Sequence, residues 1–214
     1  MCDSHWKDKL WYAYGTSMTS TSWGKFVPVV EELSGLKAVN RGVPAGSLTP
    51  DGILPSGIMK AVMEDDGKEK ADLITLEVLP NEGKKIGDIY DTDEESFCGC
   101  LNRALRFLQE TTDAQIVVIL MIMGNEHAPG WKSDVRGIPE FEFCEIAERV
   151  AKLNSVPVIN AYCESGFGYA RVKDRKYQYD QIHLNELGGR NMGRFIWSKL
   201  KDIPLWEGPG NLAD

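Results

Sequence analysis

Five short apolar runs, separated by stretches of helical periodicity, constrain this chain more than any other feature. They cover residues 10–14, 37–40, 71–79, 115–123 and 156–161. Between them, apolar residues recur three and four positions apart, the spacing of one helix face. Phe26, Val27, Val30 and Leu33 make one such stripe, with Pro28 in the first turn, where a missing N–H breaks no bond. A shorter helix is expected over 53–63, interrupted by Pro55 and Gly57. Phe97, Leu101, Ala104, Leu105 and Leu108 follow Thr92-Asp93-Glu94-Glu95, which has the form of a capping box. Phe143, Ile146, Ala147, Val150 and Ala151 form another face, and Met192, Phe195, Ile196 and Leu200 the last. The run at 115–123 is the most apolar and is expected at the sheet centre. The run at 71–79 reads as buried on both faces. Such alternation builds βαβ units. The expected fold is therefore α/β, a five-stranded parallel sheet with helices on both faces. In such sheets the sites lie at the carboxyl ends of the strands.

The 214 residues suit one domain spanning 1–214. A net charge of −8 argues against nucleic acid or an anionic membrane as partner. The five cysteines (Cys2, Cys98, Cys100, Cys144 and Cys163) are odd in number and lack metal-ligand spacing. They read as buried thiols of a reducing compartment, and no metal site is expected. No run reaches the roughly 20 apolar residues of a membrane span, and the polar segment 1–9 lacks the apolar core of a secretion leader. A cytoplasmic location is the expectation.

Candidate chemistry falls after strand ends. Tyr14-Gly15-Thr16-Ser17-Met18-Thr19 follows the first apolar run. A strand ending in Gly-Thr-Ser must turn sharply, which exposes a hydroxyl and backbone N–H groups. Ser17 is a candidate nucleophile; equally, the Ser/Thr-rich run 16–22 can simply cap the next helix. His183 is one of three histidines, with Asp180 three residues before it. A carboxylate at that spacing can accept from one imidazole nitrogen and leave the other basic. Alternatively, Asp180 caps the last helix and His183 is a surface residue. Asn81, in Val78-Leu79-Pro80-Asn81-Glu82-Gly83, can donate its amide to an oxyanion or serve as a turn residue. In the segment 40–47 a glycine lets a backbone N–H approach a ligand closely, or the segment is a plain loop. The 124–138 and 163–180 connections are long enough to be functional.

Ordered Ser, Gly, Asn and Asp-x-x-His along one parallel sheet, these segments resemble the four blocks of the SGNH hydrolases, also called GDSL-type esterases and lipases. The resemblance covers residues 11–200. It implies a three-layer α/β/α sandwich, flavodoxin-like in plan, and ester hydrolysis through an acyl-enzyme with no metal or organic cofactor. It also implies Ser17 as nucleophile, Asp180 orienting His183, and an oxyanion hole from the N–H groups of Ser17 and Gly46 and the amide of Asn81. Ala45 is the alternative to Gly46, because the second block is one residue longer than usual. Thr16 stands where the family has aspartate, Leu79 where it has glycine and Glu82 where it has aspartate.

The expected substrate is a short-acyl, acetyl-type ester, small or carried on a carbohydrate. Trp131, Phe167, Tyr169, Tyr177 and Tyr179 lie on the two long connections, where aromatic rings either stack on sugars or anchor the loops. His127, Trp131, Tyr169 and Tyr179 are the candidate substrate contacts. Arg171, Lys173, Arg175 and Lys176 make the stretch before Asp180 basic, as a solvated loop or as a reader of an acidic alcohol. Two other functions fit parts of the pattern. A flavodoxin-like protein would hold a flavin phosphate on residues 16–22, and a binding domain could keep the fold without catalysis.

Overall fold

The computed structural model describes residues 4–83, 85–122, 138–168, 171, 176–180 and 182–206. Its centre is a five-stranded sheet in the order β2-β1-β3-β4-β5, with every neighbouring pair parallel. The strands are β1 (Leu10–Gly15), β2 (Lys37–Gly42), β3 (Leu73–Val78), β4 (Gln115–Leu120) and β5 (Val158–Asn160). The helices are α1 (Phe26–Ser34), α2 (Gly57–Glu64), α3 (Phe97–Thr111), α4 (Glu140–Leu153), the short α5 (Ala161–Glu164) and α6 (Glu186–Leu200).

Alternation along each strand divides the apolar residues into two cores. Tyr12, Tyr14, Ile74, Leu76, Val118 and Leu120 face α2, α3 and α4. Trp11, Ala13, Leu73, Val117 and Ile119 face α1 and α6. The result is a three-layer α/β/α sandwich, because a sheet with two apolar faces must be covered twice. Strand order reverses beside β1, since β2 lies on one side of it and β3 on the other. The crevice at such a switch point opens above the carboxyl ends of β1 and β3. Ser17 follows one of these strands and Asn81 the other.

Local chemistry moves several boundaries from their expected places. β5 keeps only three residues, because Asn160 caps α5, its Oδ1 accepting from the Cys163 N–H at 3.0 Å. Helix α2 begins at Gly57, after Ser56 has turned through the left-handed region at φ 52°. The motif at 92–95 is not the cap of α3. Asp93 Oδ1 accepts from the N–H groups of Glu95 and Ser96 at 2.8 and 2.7 Å. Ser96 is the N-cap, accepting from the Gly99 N–H at 3.1 Å. No disulfide joins Cys98, Cys100, Cys144 and Cys163; the first three are buried, whereas Cys163 is exposed. Burial pushes Cys98 and Cys100 up to about 12. No helix among the described residues is long and apolar enough to cross a membrane.

Candidate active site

β1 ends at Gly15, and the chain turns at once. Thr16 O accepts from the N–H groups of Thr19 and Ser20 at 3.2 and 3.1 Å, while Thr16 Oγ1 accepts from the Met18 N–H at 3.2 Å. Met18 is buried and anchors the turn in the α1/α6 core. Two contacts, one to β2 and one to the residue after it, fix it laterally. Asn40 Nδ2 donates to Thr19 O at 2.6 Å, and the Val43 N–H donates to Gly15 O at 2.8 Å. Gly42 has to be glycine here, because a Cβ would stand 2.2 Å from the Ser20 nitrogen. Ser17 is thus held at the crest of a tight turn, and its N–H has no partner among the described residues.

The segment before α6 approaches the same crest. Asp180 Oδ1 accepts from the N–H groups of Ile182 and His183, each at 2.7 Å. Its Oδ2 accepts from His183 Nδ1 at 2.8 Å. Asp180 therefore does not cap α6; Asn185 does, accepting from the Gly188 N–H at 3.0 Å. With Nδ1 donating to the carboxylate, Nε2 is the acceptor nitrogen, and it lies 3.0 Å from Ser17 Oγ. Burial raises the Asp180 carboxyl, but the hydrogen bonds from the His183 ring and the two backbone N–H groups outweigh it, leaving the group below its ordinary value. A carboxylate that stays ionised, a bound imidazole and a hydroxyl thus form one continuous hydrogen-bonded chain.

The other candidates flank this chain unequally. Asn81 is buried; its Nδ2 makes only a long 3.4 Å contact to Gly46 O, so the amide hydrogens are weakly engaged. Glu82 draws the neighbouring loop in, accepting from the Leu48 N–H at 3.0 Å and the Thr49 N–H at 2.9 Å. Gly46 is adjacent, yet its N–H closes a turn onto Val43 O at 2.9 Å. Ala45, at φ 60°, has an N–H without a partner among the described residues. Of the expected substrate contacts, His127, Trp131 and Tyr169 lie outside the described residues. Tyr179 is exposed beside the site, its hydroxyl donating to Glu186 at 3.3 Å. Phe167 and Tyr177 are loop anchors, packed edge to face at 5.5 Å with Phe167 buried.

Two residues of this neighbourhood escape a reading of the sequence. Trp23 stacks on His183, ring centroids 4.6 Å apart, while 42 % of it stays exposed. Glu77 lies fully buried in β3 under the Ser17 turn, accepting from the Thr16 N–H at 2.7 Å and from the hydroxyls of Thr16 and Thr19 at 3.0 Å each. Its one sequence signal is a charge inside an otherwise apolar strand. These bonds also bear on the flavin-phosphate alternative. The Thr16 N–H and the hydroxyls of Thr16 and Thr19 are committed to the Glu77 carboxyl beneath the turn, so they do not face a phosphate above it. Among the described residues no group of three or more His, Cys, Asp or Glu is placed to hold a metal ion.

No family model matches the chain, and no curated protein sequence matches it. Solved structures do. A protein from Lactobacillus plantarum shares 19% identity at a TM-score of 0.78, over 94% of this chain and 100% of its own. A lipase/acylhydrolase from Enterococcus faecalis shares 16% identity at 0.62, over 90% and 95%. An acetylxylan esterase from Geobacillus stearothermophilus shares 12% identity at 0.60, over 95% and 98%. At these identities the likeness is one of fold: the chain has the three-layer α/β/α fold of the SGNH hydrolases.

Proposed function

We propose that the chain is an SGNH-family serine esterase acting on short-acyl, acetyl-type esters, with a carbohydrate as the preferred alcohol. The observation that carries this reading is the 3.0 Å approach of His183 Nε2 to Ser17 Oγ, with Asp180 holding the opposite ring nitrogen at 2.8 Å. In the proposed reaction Ser17 Oγ attacks the ester carbonyl while His183 Nε2 takes its proton. Asp180 keeps the ring in the tautomer that leaves Nε2 free to accept. As the tetrahedral intermediate collapses, the carbon–oxygen bond to the alcohol breaks, and His183 returns the proton to that oxygen. Water, deprotonated by His183, then attacks the acyl-enzyme and frees Ser17 and the acid.

The oxyanion is held by the Ser17 N–H and the Asn81 amide. A second backbone N–H comes from the 45–46 turn. Gly46 must release Val43 O to supply it, whereas the Ala45 N–H is already unengaged. The carbohydrate preference is supported by the exposed rings of Trp23 and Tyr179 beside His183, since flat aromatic faces stack on sugar rings. It is supported also by fold neighbours described as acetylxylan esterases.

Purified protein is assayed on p-nitrophenyl esters from acetate to laurate, then on acetylated xylo-oligosaccharides. Expected are a rate that peaks at acetate, acetate release from the sugar, and near-complete loss of both in Ser17→Ala. Wild-type turnover in that variant refutes the reading. A preference for laurate refutes the short-acyl part alone.

A further inference from the structure

We propose that Glu77 is the positioning residue for Ser17, its side-chain oxygen fixing from below the turn that aims the hydroxyl; this rests on Ser17 acting as the nucleophile. Three donors of the turn converge on one atom, Glu77 Oε2: the Thr16 N–H at 2.7 Å, Thr16 Oγ1 at 3.0 Å and Thr19 Oγ1 at 3.0 Å. Thr16 Oγ1 in turn accepts from the Met18 N–H at 3.2 Å. One buried oxygen therefore sets the residue before Ser17 directly and the residue after it through a single hydroxyl. Ser17 itself makes no bond to Glu77, and its N–H is left over for a ligand.

The strand is shaped around this contact. Glu77 shares the α1/α6 face of β3 with Leu73 and Thr75, at positions where an apolar side chain would avoid the cost of burying a carboxyl. Gly15 makes the room, because a Cβ there would lie 2.5 Å from Glu77 Oε2 and 2.5 Å from Thr19 Oγ1. Thr16, which replaces the aspartate of the resembling block, presents a donor to Glu77 where a second carboxylate would repel it. The role is one of hydrogen-bond acceptance rather than charge. The other oxygen, Oε1, has a single longer contact, to Thr16 Oγ1 at 3.2 Å. A proton there leaves the three bonds on Oε2 in place.

Three variants test the proposal, read as kcat and KM on p-nitrophenyl acetate and as the rate of labelling by a serine-directed phosphonate. Glu77→Leu removes the acceptor, and kcat and labelling should both fall by about a hundredfold, the scale of an ångström-level misplacement, with KM within about twofold. Glu77→Gln keeps an oxygen at the Oε2 place and should stay within about threefold of wild type, less than one hydrogen bond's worth. Thr19→Val removes one of the three donors without touching Ser17 and should lower kcat by about fivefold. Wild-type kcat in a folded Glu77→Leu protein overturns the proposal, as does a Gln variant as impaired as the Leu variant. If Glu77→Leu does not fold, Thr19→Val decides, and wild-type kcat there overturns it. Labelling of wild type and its absence in Ser17→Ala establish the nucleophile separately. If Ser17→Ala still turns over, the nucleophile assignment fails and the role of Glu77 falls with it, whereas wild-type kcat in Glu77→Leu beside an inactive Ser17→Ala overturns the role of Glu77 alone.

Discussion

Trp23 lies flat against His183, the ring centroids 4.6 Å apart and the planes inclined by 29°. The indole covers one face of the imidazole and keeps it from tilting out of line with Ser17 Oγ. The indole also stays 42 % exposed beside the site. Two effects of the contact can be separated. Trp23→Phe keeps a ring on the imidazole and should hold kcat on p-nitrophenyl acetate near wild type. Trp23→Ala removes a stacking contact of about 0.5–1.5 kcal/mol and should lower kcat/KM by about two- to tenfold. The loss should be larger on an acetylated oligosaccharide than on the aryl ester, because the sugar loses its platform as well. Steady-state kinetics on the two substrates measure this.

Asp180 makes two kinds of bond, and Asp180→Asn separates them. The amide oxygen still accepts from the Ile182 and His183 N–H groups, so the turn persists. The amide nitrogen cannot accept from Nδ1, so the imidazole tautomer reverses. Turnover should fall on the order of 10³–10⁴-fold with little change in thermal midpoint. Because its folded value is depressed, Asp180 contributes above its unfolded pKa and loses that contribution only as pH falls through the lowered value. Any loss of rate between pH 5 and 8 therefore does not come from Asp180. The carboxyl carbon resonance of Asp180, followed by NMR through acid pH, locates its titration.

Asn81→Ala tests the proposed oxyanion hole. The amide makes only a 3.4 Å contact in the resting protein, so its removal costs the fold little. Turnover should drop by about 10²–10³-fold with KM nearly constant, since the bond forms only when charge develops on the carbonyl oxygen. A drop confined to KM would assign Asn81 to ground-state binding instead.

Glu77 makes stability depend on pH. Burial raises its carboxyl from 4.5 to about 7, with repulsion from Glu82 adding to burial and the bonds from Thr16 and Thr19 opposing them. Between those values the folded chain holds a proton that the unfolded chain has released. The associated stability is complete below pH 4.5 and is lost as pH rises through about 7. Denaturant titrations of wild type and Glu77→Gln across this range should show wild type losing stability relative to the variant as pH rises. A constant difference between them excludes this titration.

Ser96→Ala removes the cap of α3 and should destabilise the protein by about 1 kcal/mol, or about 2–4 °C in thermal midpoint for a chain of this size. Thr92→Ala should be neutral. Differential scanning calorimetry of the two variants distinguishes the observed cap from the capping-box pattern upstream.

The periodicity of burial carried the architecture in the sequence. Leu73 and Ile74 can both be buried only in a strand covered on two faces, and Phe143, Ala147 and Val150 share a face only in a helix. Such patterns are legible because each side chain answers to its own local geometry. Asp180 and His183 were legible together for the same reason, since three residues of separation place them in one turn. Other relations depend on how strands are ordered. Ser17 and His183 stand 166 residues apart, and no local rule brings them to 3.0 Å. Only the reversal of strand order beside β1 places Ser17, Asn81 and the α6 approach at one crevice. Trp23 gained its partner, and Glu77 its three donors, because distant segments packed there. The Gly46 N–H, by contrast, is committed to Val43 O within its own short turn. A hydrogen bond belongs to both of its atoms, and a linear chain names the donor without showing which acceptor the packing delivers.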